Sequence, residues 1–112
     1  MGFELRFQKG LQAAGVLLKL SHGQRMNYMR MLKLLYVADR ESPRRWGKPI
    51  TGDRPVAMER GPVLSELLDI IKDRGTMSSD WSKFISRDNY DIELITDPGN
   101  EALSRGEVDL LQ

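Results

Sequence analysis

No cysteine occurs in the 112 residues, and histidine occurs once, at His22. A disulfide framework and a thiolate metal site are thereby excluded, and a zinc site would have to be built almost wholly from carboxylates. No metal and no cofactor are expected. Aromatic residues make up 7% of the chain, and no apolar run approaches the ~20 residues that span a bilayer. The N-terminus lacks the charged and then apolar pattern of a secretion signal, so a cytoplasmic protein with no membrane contact is expected. With 40% hydrophobic and 29% charged residues, the composition suits a chain that folds, and the length suits one core rather than two. Residues 1–112 are therefore read as a single domain.

Catalytic sets are equally scarce. His22 beside Gly23 reads as a cap at a helix C-terminus rather than as a base. Without a second histidine, a cysteine or a nucleophile elbow, no serine can be placed in a triad. Gly47 to Gly52 lacks the Gly-Lys-Ser/Thr ending and the preceding strand of a phosphate loop. The chain is expected not to be an enzyme. Asp39, Asp53 and Glu59 could gather as carboxylates, but each is followed by an arginine (Arg40, Arg54, Arg60). Ion pairs that fasten a loop to a helix are their expected use.

What is present is mostly helical pattern. Met31-Leu-Lys-Leu-Leu-Tyr-Val-Ala-Asp-Arg40 is apolar on nearly every side, with Leu34, Leu35, Val37 and Ala38 read as core, and it predicts an enclosed central helix. Asn27 is its N-cap, and Pro43 should end it near Arg40 or Glu41. Before it, Phe7, Leu11, Ala14 and Leu18 form the stripe of a first helix to about Leu20, where Gly15 would let the central helix approach closely. After it, Arg44 to Pro55 is a long Gly- and Pro-rich loop carrying Trp46 and Ile50, longer than most connections within a domain.

Val56-Ala-Met58 reads as extended, and Arg60-Gly61-Pro62 as the start of a helix that ends at Gly75. Residues 76–85 read as a loop with one helical turn held by Trp81 and Phe84. Tyr90 to Thr96 alternates like a strand, and Ser104 with Glu107 has the capping-box spacing of a last helix. The fold class is mainly α: a compact helical domain around a central apolar helix, with a minor β element. Because the chain stops soon after that last helix begins, it is expected to be shortened at its C-terminus.

Net charge is only +1, but it is unevenly spread. Residues 25–48 hold seven Lys or Arg, whereas residues 88–112 hold seven Asp or Glu against Arg105 alone. Either the two segments neutralise each other, or the basic one captures an acidic partner. Basic residues interleaved with Tyr28, Tyr36 and Trp46 fall short of a nucleic-acid binder in charge density and in helix spacing.

Four blocks then stand in order: Lys33-Leu-Leu-Tyr-Val-Ala-Asp-Arg-Glu41, Trp46-Gly-Lys-Pro-Ile-Thr-Gly-Asp-Arg54, Val56-Ala-Met58, and Gly61-Pro-Val63 followed by Leu67. Together they resemble the Panacea domain, also called the SocA-like antitoxin domain, over about residues 7–75 and more loosely beyond. Pro43 and Pro55 depart from the family pattern in and beside the long loop. The resemblance implies a mostly helical bacterial or phage protein, commonly encoded beside a toxin gene, that binds its cognate toxin and neutralises it. It implies no enzymatic activity.

On that reading Lys33, Tyr36, Arg40, Arg44, Arg45, Trp46 and Arg60 are the expected partner-binding residues, since aromatic and arginine side chains dominate interfaces. Asp39, Asp53 and Arg54 are the expected structural network. Direct occlusion of the toxin is the expected mode; a proteolytic adaptor that hands the toxin to a protease, or a nucleic-acid-binding regulator, is the alternative.

Overall fold

Asn27 starts the longest element. In the computed structural model, which describes residues 3–112, its side-chain Oδ1 accepts the N–H groups of Met29 at 2.8 Å and Arg30 at 3.2 Å. Helix α2 (Tyr28–Trp46) follows. Before it come α1 (Phe7–Leu20), a 3-10 turn (His22–Gln24) with Gly23 at φ 68°, and strand β1 (Arg25–Asn27). After it come β2 (Pro55–Met58), β3 (Gly61–Leu64), α3 (Ser65–Ile71), α4 (Ser78–Ser82), β4 (Ile85–Asp88), β5 (Asp91–Leu94) and α5 (Arg105–Leu111). About half the chain is helical, so mainly α describes it roughly, but the β structure is not minor.

Two antiparallel sheets make up that β structure, one ordered β1-β5-β4 and the other the hairpin β2-β3. Met26 pairs with Ile92 and Ile85 with Leu94 in the first, and Val56 with Val63 in the second.

Several expectations are corrected. The enclosed position belongs to α1 rather than α2, because every residue from Gly10 to Leu18 is buried. Its small residues allow this: Leu67 packs over Gly10, and a Cβ on Gly15 would lie 2.9 Å from Pro98, so Gly15 admits that loop rather than α2. Helix α2 buries Tyr28, Met31, Leu32, Leu35, Ala38 and Ser42, whereas Leu34 and Val37 are 39% and 61% exposed.

Pro43 does not end α2. The helix continues one turn to Gly47, whose left-handed backbone (φ 81°) directs its N–H to the Pro43 carbonyl at 2.9 Å, while Arg44 and Arg45 suit the negative end of the helix dipole.

Residues 61–64 are a strand, not a helix start. Gly61, at φ 113°, turns the chain after Glu59-Arg60, and Pro55 and Pro62 are tolerated because a two-stranded hairpin has only edges. Asp53 then starts α3 by accepting the N–H groups of Glu66 at 3.0 Å and Leu67 at 2.8 Å. Nor does Gly75 stop that helix. Asp73 takes the left-handed conformation (φ 63°), and Gly75 is small because a Cβ there would lie 2.9 Å from Ile70.

Local signals elsewhere match the chain's behaviour. Trp81 is buried on the short α4, and Ser104 and Glu107 exchange both capping-box hydrogen bonds at the start of α5.

Candidate partner-binding face

The loop after α2 is held by one carboxylate. Asp39 Oδ1 accepts the N–H groups of Ile50 (3.1 Å) and Thr51 (2.9 Å), and Oδ2 accepts the Thr51 hydroxyl (2.6 Å) and the Gly52 N–H (3.1 Å). The same Thr51 hydroxyl accepts the Asp53 N–H at 3.1 Å. A hydrogen-bonded chain thus runs from α2 through the loop to the first turn of α3. Ser65 closes it from the other side, its N–H and hydroxyl both donating to the Arg54 carbonyl.

Burial pushes both carboxyls up from the usual aspartate range. The hydrogen bonds from Thr51, Gly52 and Ile50 oppose this at Asp39, as those from Leu67, Glu66 and Arg54 do at Asp53, where nearby Asp69 adds to the rise. Among the described residues no arginine pairs with Asp39 or Asp53, so the expected ion pairs with Arg40, Arg54 or Arg60 are replaced by backbone amides. Arg54 enters the network through its backbone, its N–H toward Asp53 and its carbonyl toward Ser65. Thr51 was missed in the sequence because a threonine in a Gly-rich loop carries no sign of burial. No group of three or more metal-ligating side chains occurs among the described residues.

The seven residues expected to meet a partner fall into two sets. Lys33, Tyr36, Arg40 and Arg44 are spaced three, four and four apart, so they share one strip of α2. Along it, Lys33 Nζ donates to the Arg60 carbonyl at 2.7 Å, which ties the β2–β3 turn to the helix and leaves the Arg60 side chain exposed. The Arg40 guanidinium lies 5.8 Å from the centre of the Tyr36 ring. Trp46 lies elsewhere. Its ring occupies the place a side chain on Gly106 of α5 would need, with Arg45 stacked 5.9 Å from its centre. Arg45 and Arg44 approach Glu41 at 3.6 and 3.9 Å.

The strip borders a cleft of about 220 Å³ lined by Tyr36, Arg40, Asp39, Asp53, Pro43 and Pro49, with Phe3 at its mouth. Its walls are largely apolar, and Arg40 is the one cation among its lining residues. Such a cleft can hold an apolar anchor from a partner while Arg40 meets an acidic group beside it.

The basic segment is only partly neutralised by the acidic one. Arg25 is bracketed by Asp88 (3.1 Å), Asp91 (3.3 Å) and Glu93 (3.3 Å), and Asp88 and Asp91 hold its guanidinium pKa up. Arg40, Lys48, Arg54 and Arg60 make no ion pair among the described residues.

Residues 31–112 match the model of a family described as antitoxin SocA-like, Panacea domain. The matched segment begins inside α2 and takes in strands β2 to β5 and helices α3 to α5, leaving α1 and β1 before it. No match was found among curated proteins or among solved structures.

Proposed function

We infer that this chain, which belongs to the antitoxin SocA-like, Panacea domain family, is an antitoxin that binds a cognate protein toxin and neutralises it by covering the toxin's active surface. The observation that carries the reading is the cleft beside α2, where Tyr36, three prolines and Leu64 form a largely apolar lining beside Arg40, which makes no ion pair among the described residues. Binding energy at interfaces concentrates in such desolvated pockets, and exposed cations speed the capture of an acidic partner. Lys33, Tyr36, Arg40, Arg44 and Arg60 form the contact face. Arg45 and Trp46 act beside it, with Trp46 also fixing α5. The network of Asp39, Thr51 and Asp53 holds the loop in the shape the partner meets, so that little ordering entropy is lost on binding.

Affinity for the toxin tests this directly. Arg40→Glu and Tyr36→Ala should each weaken the complex by about tenfold or more, against little change for Lys83→Glu, which lies on an exposed turn far along the chain. Equal affinities for all three variants would remove the face from the reading. A toxin that disappears from cells faster in the presence of the chain would replace occlusion by delivery to a protease.

A further inference from the structure

Helix α2 carries a second exposed strip that the toxin-binding reading does not use. Arg30, Leu34, Val37 and Glu41 are spaced four, three and four apart, which puts them within about 60° of one another around the helix. Leu34 and Val37 are large apolar side chains left 39% and 61% exposed. They border an open groove of about 380 Å³, lined also by Leu17, Ala38, Leu110 and Leu111 where α1, α2 and α5 meet. Apolar surface of this kind, rimmed by charge, marks an interaction site.

The order of the four residues says what covers it. Leu34 and Val37 share a midpoint between Leu35 and Tyr36, and Arg30 and Glu41 share the same midpoint. A second α2 laid antiparallel across that point sets Leu34 against the partner's Val37. It also sets Arg30 against the partner's Glu41, once at each end. The pattern is complementary to itself under a two-fold axis, which is the requirement of an isologous dimer.

Arg30 makes no ion pair among the described residues. Glu41 has only the two loose contacts within its own helix, at 3.6 and 3.9 Å, so both charges are free to pair across the axis. We propose that this strip is the interface of a homodimer, with α2 of one copy seated in the α1–α2–α5 groove of the other. Tyr36 and Arg40 lie a quarter to a third of a turn around α2 from the strip. A dimer therefore leaves the cleft beside Tyr36 and Arg40 open in both copies, with Lys33 and Arg44, about 40° and 20° from Val37 around the helix, at the edge of its seam.

Mass measured by light scattering across a concentration series, followed by charge exchange, decides the matter. The unaltered chain should show twice its 12.8 kDa at high concentration. Arg30→Glu and Glu41→Arg are surface changes whose folding circular dichroism can verify. Each places like charges opposite one another at both ends and should weaken dimerisation roughly a hundredfold. Mixed together, the two variants face each other with opposite charges at both ends and should form a heterodimer, and the double variant should dimerise alone. A monomer at every concentration, a dimer that neither single change weakens, or a mixture that stays monomeric would each overturn the proposal.

Discussion

Thr51 is held twice by Asp39: its hydroxyl donates to Oδ2 at 2.6 Å and its N–H to Oδ1 at 2.9 Å. One carboxylate of α2 thereby fixes the loop whose next carboxylate starts α3. Asp39→Asn should cost about 2–4 kcal/mol, because the amide nitrogen points donors at donors and leaves buried N–H groups unpaired. Thr51→Val, which deletes one hydroxyl from the chain, should cost about 1–2 kcal/mol. Urea unfolding measures both. Asn at position 39 within a few tenths of the unaltered chain would show that the loop does not depend on the carboxylate.

Gly52 sits at the point where the loop meets the N-terminal segment. It has φ 75°, and a Cβ there would run into the Glu4 carbonyl. Gly52→Ala therefore combines left-handed strain with a backbone collision and should cost about 2–3 kcal/mol. Gly23→Ala is the control, since that residue has φ 68° with open space around it and should cost only about 1 kcal/mol. Thermal unfolding that ranks the two equally would contradict the close approach.

Glu107 links the two ends of the chain. Lys9 Nζ lies 2.7 Å from its carboxylate, and both side chains are largely buried. Burial alone would raise the Glu107 pKa, but the Lys9 ammonium and the Ser104 N–H outweigh it and hold the group below the usual glutamate range. A depressed pKa stabilises the fold above the ordinary value and ceases to do so as pH falls through the depressed one. The stability lost in Glu107→Gln should thus be greatest near neutrality, about 1–3 kcal/mol, and should shrink below roughly pH 4. A difference that stays constant between neutral and acid pH would show that Lys9 does not set the titration.

Trp46 reports on the seat of α5. A side chain at Gly106 would occupy the place of its indole ring, so Gly106→Ala must move one or the other. Fluorescence of a Trp81→Phe background should shift to the red as Trp46, 44% exposed in the native fold, becomes wetter. An unshifted spectrum would mean that the ring does not rest on α5.

What was legible in the sequence was what neighbours in sequence decide. The Asn27 cap, the α1 stripe and the Ser104–Glu107 box each bring donor, acceptor and apolar face within a few residues, and all three stand as expected. Arg60-Gly61-Pro62 was read as a helix start because Pro suits a first turn. Its pairing with Pro55 to Met58 is tertiary, and no local signal carries it. Strand β1 has only three residues and β4 (Ile-Ser-Arg-Asp) only one apolar residue, Ile85, so neither shows an alternation. Leu34 and Val37 read as core because periodicity reports apolarity and not what lies opposite. Asp39 and Asp53 stood beside arginines in sequence but accept backbone amides in space, and amide groups are the same at every position.

The antitoxin reading is tested most directly by expressing the product of a neighbouring candidate toxin gene alone and together with this chain. Growth should stop with the neighbour alone and resume with the chain, with a stable complex recovered from the cells. Rescue should fail when Arg40→Glu is combined with Tyr36→Ala, while that variant stays folded and present at an unchanged level. A neighbour harmless by itself that forms no complex with the chain would contradict the antitoxin role, and rescue by the double variant as complete as by the unaltered chain would contradict the binding face.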